Sequence, residues 1–165
     1  MVGVNAALLR AIELRAAGQH TAALAILLDL YKASPDDAKL NYEIACTYDP
    51  QGLEADAIPF YERALEGGLA GEDRRGALLG LGSSYRCVER FSDAVRTLER
   101  GVAEFPDAPE LKVFLGLALY SMGDYRRAVQ TLLHHVATHP GHERVTKYQR
   151  AIQFYAAQPD PPYGE

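Results

Sequence analysis

An alanine recurs along this chain at intervals that barely change, and this recurrence limits the possible folds more than any other feature of the sequence. The alanines are separated by 34, 37 and 34 residues and are Ala23, Ala57, Ala94 and Ala128. A large apolar residue follows each at a distance of four: Leu27, Tyr61, Leu98 and Leu132. Proline follows three of them at twelve (Pro35, Pro106, Pro140), and glycine precedes three at five (Gly18, Gly52, Gly123). Landmarks that keep one phase indicate a stacked repeat, with units 4–37, 38–71, 75–108 and 109–142.

Each unit has the pattern of two helices joined by a turn. Its apolar residues follow helical spacing, as at Leu24, Leu28 and Tyr31. The glycine suits the turn because it readily adopts the left-handed conformation that closes a helix. The recurrent alanine lets the two helices approach closely, and the proline ends the second helix. The sequence therefore predicts an all-α protein built from helical hairpins.

These landmarks resemble the signature of the tetratricopeptide-repeat family. The third unit carries it as Leu81-Gly82, Tyr85, Phe91, Ala94, Leu98 and Pro106. The fourth carries it as Leu115-Gly116, Leu119, Gly123, Tyr125, Ala128, Leu132 and Pro140. The resemblance covers residues 4–142 and implies a right-handed α-solenoid of four helix-turn-helix units, closed by a C-terminal capping helix, in one domain over 4–157.

The second and third units depart from this pattern. Leu69 stands where the second unit should have its proline, and three extra residues, 72–74, precede the third unit. We expect a longer and looser joint there. Glu89 replaces the turn glycine of the third unit, and Pro59 lies early in a predicted helix, where it is tolerated only near the first turn.

The segment after the fourth unit is predicted to close the stack. Residues 143–157 read as one helix whose apolar positions, Val145, Tyr148, Ile152 and Tyr155, can cover the last repeat. The proline-rich residues 158–165 cannot continue a helix and are predicted to form an extended or unstructured tail.

Binding is expected on the first helix of each hairpin, because these helices line the concave face of such a solenoid. By register and resemblance, the residues facing it are Leu8, Ile12, Tyr42, Glu43, Cys46, Asp49, Leu79, Ser83, Arg86, Val113, Phe114, Leu117 and Tyr120. A register error of one residue would instead place several of them in the core. The set is largely apolar, which suits an amphipathic helix or an extended peptide with hydrophobic anchors. We therefore predict a protein-interaction scaffold.

A second copy of the chain is the alternative partner. The first helix has nothing before it to cover its apolar side, which carries Leu8, Leu9 and Ile12. In a homodimer, the second copy would bury this apolar face. The acidic tails of heat-shock chaperones are disfavoured: family members that bind them use Lys, Arg and Asn, whereas the matching positions here are Leu8, Ile12, Glu43, Gly76 and Gly80.

Composition excludes several other classes. A net charge of −5 argues against nucleic acid as the main ligand, because phosphate binding needs a basic face. No apolar run is long enough for a membrane span. The start of the chain lacks a signal-peptide pattern, and only two cysteines occur, Cys46 and Cys87. We expect a cytoplasmic protein that contacts neither membrane nor nucleic acid.

Catalytic chemistry has little support. No phosphate-binding loop, nucleophile elbow or paired-carboxylate motif occurs, so we predict neither an enzyme nor a cofactor. The histidines His134, His135, His139 and His142 cluster at the end of the fourth unit, and His135 and His139 have a spacing that can ligate a metal. A metal-dependent enzyme at this cluster is a remote alternative. Surface and packing roles near a helix end explain these residues more simply.

Overall fold

The computed structural model describes residues 2–139, 141 and 143–157, with side chains placed at 6–139, 141 and 145–157. Pro140, His142 and the predicted tail 158–165 lie outside the described residues. Within the described part the chain is all-α, as predicted, and contains no strand. Its helices are α1 (Val2–Ala16), α2 (His20–Ala33), α3 (Ala38–Tyr48), α4 (Glu54–Glu66), α5 (Gly71–Cys87), α6 (Phe91–Glu104), α7 (Pro109–Met122), α8 (Tyr125–Thr138), α9 (Glu143–Thr146) and α10 (Gln149–Ala157).

The helices fall into two compact units. Unit 1 is residues 1–89 and contains α1 to α5, and unit 2 is residues 90–165 and contains α6 to α10. In unit 1 each helix packs against the next one along the chain. In unit 2, α6 packs on α7, α7 on α8, and α10 on α8.

The core of unit 1 forms around the recurrent small and large apolar residues. Ala23 and Ala57 are completely buried, and Leu27 and Tyr61, four residues after them, are 1% and 2% exposed. Deletion of a buried side chain as large as leucine costs about 2–5 kcal/mol, so these positions carry much of the stability of the unit.

Unit 2 repeats the arrangement. Ala94 is completely buried and Ala128 is 3% exposed. Leu98, four residues after Ala94, is buried, and Leu132, four residues after Ala128, is half-buried. Leu111 and Leu119 of α7 are buried as well. The predicted role of the alanine, a small residue where space is tight, agrees with this burial in both units.

The turns within the hairpins take the left-handed conformation that the glycines predict. Gly18, Gly52 and Gly123 have φ of 74°, 73° and 89°. Glu89, which replaces the glycine in the third hairpin, has φ of 62°. The turn geometry is therefore kept even where the side chain disfavours it, which costs a non-glycine residue about 1 kcal/mol or more.

The joint between the second and third repeats is not longer than the others, so the extra length that we expected was wrong. The looser packing that we expected there stays a prediction. Residues 67–70 separate α4 from α5, and residues 34–37 and 105–108 separate the corresponding helices elsewhere. The extra residues 72–74 lie instead in the first turn of α5, which has 17 residues. Glu72 and Asp73 suit that position, because acidic side chains stabilise a helix N-terminus. The helix α4 continues through Pro59.

The closing segment is two helices, not the single helix predicted. A turn at residues 147–148 separates α9 from α10. Tyr148 and Tyr155 are 68% and 50% exposed, so they do not cover the last repeat. Gln149, the first residue of α10, links this helix to α8, because its Nε2 donates to the carbonyl of Ala137 at 2.7 Å.

Candidate functional site

The residues predicted to face a partner in unit 1 lie on α1, α3 and α5, except Asp49, which directly follows α3. All but one are half-buried: Leu8, Ile12, Tyr42, Cys46, Asp49, Leu79, Ser83 and Arg86. Glu43 is the exception, with an exposed fraction of 3%. Leu8 packs against the core cluster that contains Leu27 and Ile44. Part of the predicted contact set thus belongs to the interior of unit 1.

The buried carboxylate of Glu43 is the centre of a chain of ion pairs that joins three helices. Arg15 of α1 donates to it at 2.7 Å, and Nζ of Lys39 lies 2.9 Å from it. Lys39 also contacts Asp73 of α5 at 2.8 Å. Burial opposes the charge of Lys39, but hydrogen bonds to Asp73 and Glu43 outweigh burial and raise its pKa. We name Arg15, Lys39, Glu43 and Asp73 the charged chain.

A second polar cluster lies beside the charged chain. The hydroxyl of Tyr61 donates to Oδ2 of Asp49 at 3.1 Å and lies 3.8 Å from Sγ of Cys46. Ser84 on α5 donates to the other oxygen of Asp49 at 3.4 Å. Burial raises the pKa of Tyr61, Cys46 and Asp49, so at neutral pH the phenol and the thiol stay protonated. The cluster is a hydrogen-bonded network, and a reactive thiolate is not formed there.

Two glycines of α5 make room for the tyrosines. A Cβ on Gly76 would collide with the hydroxyl of Tyr42, and a Cβ on Gly80 would collide with both the hydroxyl and the ring of Tyr61. The ring centroids of Tyr42 and Tyr61 are 6.3 Å apart. The tyrosine side chains therefore occupy the space that the missing Cβ atoms leave free.

The residues of the charged chain other than Glu43 were missed by the sequence reasoning. One signal was available, because Lys39 and Glu43 are opposite charges four residues apart on a predicted helix. Arg15 and Asp73 gave no such signal, since their contacts with α3 depend on how the helices pack.

In unit 2 the predicted contact residues lie on α7 and are mostly exposed. Val113, Leu117 and Tyr120 have exposed fractions of 40%, 42% and 65%, while Phe114 is half-buried. Their spacing places Val113, Leu117 and Tyr120 on one face of the helix. The ring of Tyr125, the first residue of α8, lies 5.1 Å from that of Tyr120. We name Val113, Leu117 and Tyr120 the α7 strip.

The opposite face of α7 holds the helix in place. Leu111, Leu115, Ala118 and Leu119 are buried there, with exposed fractions of 7% or less. The α7 strip is therefore an apolar surface carried on a rigid element, which is the arrangement that interaction sites need.

Of the four clustered histidines, His142 lies outside the described residues, and the structure brings two of the others together. The rings of His135 and His139 are 4.9 Å apart. Burial, then the charges of His139 and Lys112, lower the pKa of His135. Among the residues that the structure describes, no three His, Cys, Asp or Glu side chains are arranged to hold a metal ion. None of the helices in that same part of the chain has both the length and the apolarity to cross a bilayer.

Comparison with known proteins assigns the family. The profile of the tetratrico peptide repeat matches residues 38–158. The chain belongs to the tetratricopeptide-repeat family. As a general rule this repeat fold is a non-catalytic scaffold for protein interactions. A comparison with curated proteins finds no match.

Solved structures of MamA have the same fold as this tetratricopeptide-repeat chain. One MamA crystal structure is 20% identical, with a TM-score of 0.76 over 94% of this chain and 86% of its own. A second is 21% identical, with a TM-score of 0.72 over 90% of this chain and 88% of its own. A third, titled MamA MSR-1 C2, is 17% identical with a TM-score of 0.72, over 80% of this chain and 74% of its own. At these identities the likeness is one of fold.

Proposed function

We propose that this chain is a protein-interaction module that binds a partner peptide or amphipathic helix on the α7 strip. The observation that carries the proposal is the exposure of three large apolar side chains, Val113, Leu117 and Tyr120, on one face of a helix whose other face is buried. Single exposed apolar residues are ordinary on protein surfaces, whereas an aligned set is typical of a binding face. Membership of the tetratricopeptide-repeat family supports the same class of function.

The spacing of the α7 strip suits a helical or extended partner. Its residues stand at positions i, i+4 and i+7, which is also the spacing of the anchors on an amphipathic helix. Tyr120 adds an aromatic face with a hydroxyl at its edge, and tyrosine is enriched where binding energy concentrates. We expect the partner to bring apolar side chains at matching intervals.

Unit 1 carries its own candidate contact residues. The half-buried Ile12, Leu79, Ser83 and Arg86 are proposed to contact a partner of mixed polarity on that unit. Glu43 would act indirectly, because its buried carboxylate already accepts from Arg15 and pairs with Lys39. A cytoplasmic location remains a prediction from the sequence.

The test compares partner capture by the wild-type chain with capture by Leu117→Ser and Tyr120→Ser variants. Arg96→Ser is the matched control, because Arg96 in the same unit is 77% exposed and lies outside the strip. Proteins captured from an extract of the source organism are quantified, and the leading candidate is then purified and titrated directly. We expect the strip variants to weaken binding by tenfold or more and the control to leave it unchanged. Equal binding by all variants would rule out the α7 strip as the contact surface.

Self-association is the second candidate function. Large apolar side chains are exposed on α1 (Leu9, 61%), in the turn before α10 (Tyr148, 68%) and on α10 itself (Phe154, 56%, and Tyr155, 50%). A homodimer that covers one of these surfaces would remove them from water. Light scattering across a wide concentration range tests this, with a dimer expected at twice 18.1 kDa. A mass of 18.1 kDa at every concentration would exclude it.

A further inference from the structure

A cavity in unit 2 is separate from the α7 strip. It lies between α6, α7, α8 and α10 and has a volume of about 500 Å³. This falls within the range of pockets that hold small ligands, about 300–1,000 Å³. Leu115 lines the cavity, and Leu117 belongs to the strip. Side chains two positions apart on an α-helix, such as those of Leu115 and Leu117, point in directions that differ by roughly 200°. The cavity and the strip therefore open on different sides of α7.

The lining of the cavity is apolar with a few polar groups. Val102, Leu115, Ala156 and Ala157 supply the apolar part. The polar part comes from Lys112, Gln130, Thr131, His134 and Gln153. Among the described residues that line the cavity there is no carboxylate. Its fixed charge is therefore positive, and an apolar ligand with a negative group is complementary to it.

The positions of the polar groups are restrained. Nζ of Lys112 donates to the carbonyl of Pro106 at 2.5 Å, which leaves two of the three ammonium donors for a ligand. Nε2 of Gln130 donates to the carbonyl of Ala157 at 3.2 Å and so ties the end of α10 to α8. Gln130 therefore lines the cavity and also holds α10, which forms one of its walls.

We propose that this cavity binds a small amphipathic carboxylate, such as a medium-chain fatty acid. The hydrocarbon chain lies against Val102, Leu115 and Ala156, and the carboxylate accepts from the ammonium of Lys112. The amide groups of Gln130 and Gln153 offer further donors at the polar end. The volume suits one flexible chain, whereas a partner helix of about 10 Å diameter would not fit.

The test is a titration of the full chain with decanoate below its critical micelle concentration, followed by calorimetry and by amide chemical shifts. Saturable binding at one site is expected, with shifts at Leu115 and Ala156. Lys112→Met keeps the apolar stem and removes the charge, and we expect it to weaken binding at least tenfold. Lys32→Met is the matched control, because Lys32 lies in unit 1 with a side chain 76% exposed. Decanol, which has the same chain without the charge, is expected to bind more weakly than decanoate.

Three results would overturn the proposal. The first is a titration without saturation, which would show that decanoate has no site in the cavity. The second is equal affinity for Lys112→Met and the wild-type chain when both melt at the same temperature. The third is equal affinity for decanol and decanoate, because the positive lining would then have no role.

Discussion

Arg15 and Glu43, on different helices of unit 1, form an ion pair across 2.7 Å, and the carboxylate that accepts is only 3% exposed. Arg15 itself is 29% exposed and Lys39, the other partner, is 40% exposed. The two cations therefore keep part of their hydration, while the anion depends on them for charge compensation. Such a pair is most costly to break from its buried side.

We predict that Glu43→Gln lowers the free energy of unfolding by about 1–3 kcal/mol, since it leaves the partly buried Arg15 without its anion and Lys39 with Asp73 alone. Chemical denaturation followed by circular dichroism measures the change. Glu13→Gln is the matched control, because Glu13 is 68% exposed and pairs only at the surface with Arg10. Its effect should be below about 0.5 kcal/mol. A Glu43 variant as stable as the control would mean that the charged chain contributes nothing.

Replacing the glycines of α5 with alanine should lower the stability of the protein, although the same change in most helices raises it. Within a helix Gly→Ala normally stabilises by about 1 kcal/mol. Gly80→Ala should instead destabilise by roughly 1–3 kcal/mol, because its methyl group meets the buried ring of Tyr61. Gly76→Ala should cost less, because the hydroxyl of Tyr42 is the atom in the way and the next ring carbon is 3.2 Å from the new methyl.

The same glycine substitutions made in a Tyr42→Phe variant test this explanation. Without the hydroxyl, Gly76→Ala should no longer lower the stability and should approach the stabilisation that is usual for Gly→Ala in a helix. Gly80→Ala should be as harmful as before in the same background, because its obstacle is Tyr61. A thermal melt of the four variants gives the interaction energy directly. Independent effects of positions 42 and 76 would contradict the packing described for α5.

The recurrent alanines should not tolerate a larger side chain. Ala94→Leu and Ala128→Leu add three carbons at positions that are 0% and 3% exposed, and we expect losses of about 1–3 kcal/mol. Ala103→Leu, at an exposed position of α6, is the control and should be near neutral. Melting temperatures report the difference. Unchanged melting for both buried variants would show that these alanines do not lie at tight contacts.

The two cysteines should differ in reactivity with iodoacetamide. Cys87 is exposed and Cys46 is half-buried, so Cys87 should be alkylated first. Burial, and then the charge of Glu54, raise the pKa of Cys87 above that of an ordinary thiol. Because the thiolate is the reactive form, its labelling rate should keep increasing with pH beyond the ordinary cysteine pKa of about 8.5. Peptide mass spectrometry locates the label, and a Cys87→Ser chain should label slowly until it is unfolded. Equal rates for the two thiols in the folded chain would contradict the burial of Cys46.

The hairpins could be predicted because their landmarks are local. An alanine, a leucine four residues later and a turn glycine define one hairpin without reference to the rest of the chain, and Ala23, Leu27 and Gly18 all lie as expected. The exposed residues of α7 could also be predicted, because helical spacing places Val113, Leu117 and Tyr120 on one face.

The polar contacts of unit 1 could not be predicted in the same way. The contact of Arg15 with Glu43 joins positions 28 residues apart, and it depends on the rotation of α1 against α3. The single helix predicted over 143–157 was wrong for a related reason. The helical pattern of the sequence does not reveal the turn at residues 147–148, in which Tyr148 is exposed.

The three residues that interrupt the repeat spacing, 72–74, include Asp73, which is the residue of α5 that pairs with Lys39. A chain with uniform repeats of 34 residues would lack this acid. The second repeat is thus matched to the particular helix that follows it, and its neighbours are not interchangeable. Repeats joined in another order would keep every alanine and glycine landmark. The ammonium of Lys39 would nevertheless lose the ion pair with Asp73 on the helix that follows.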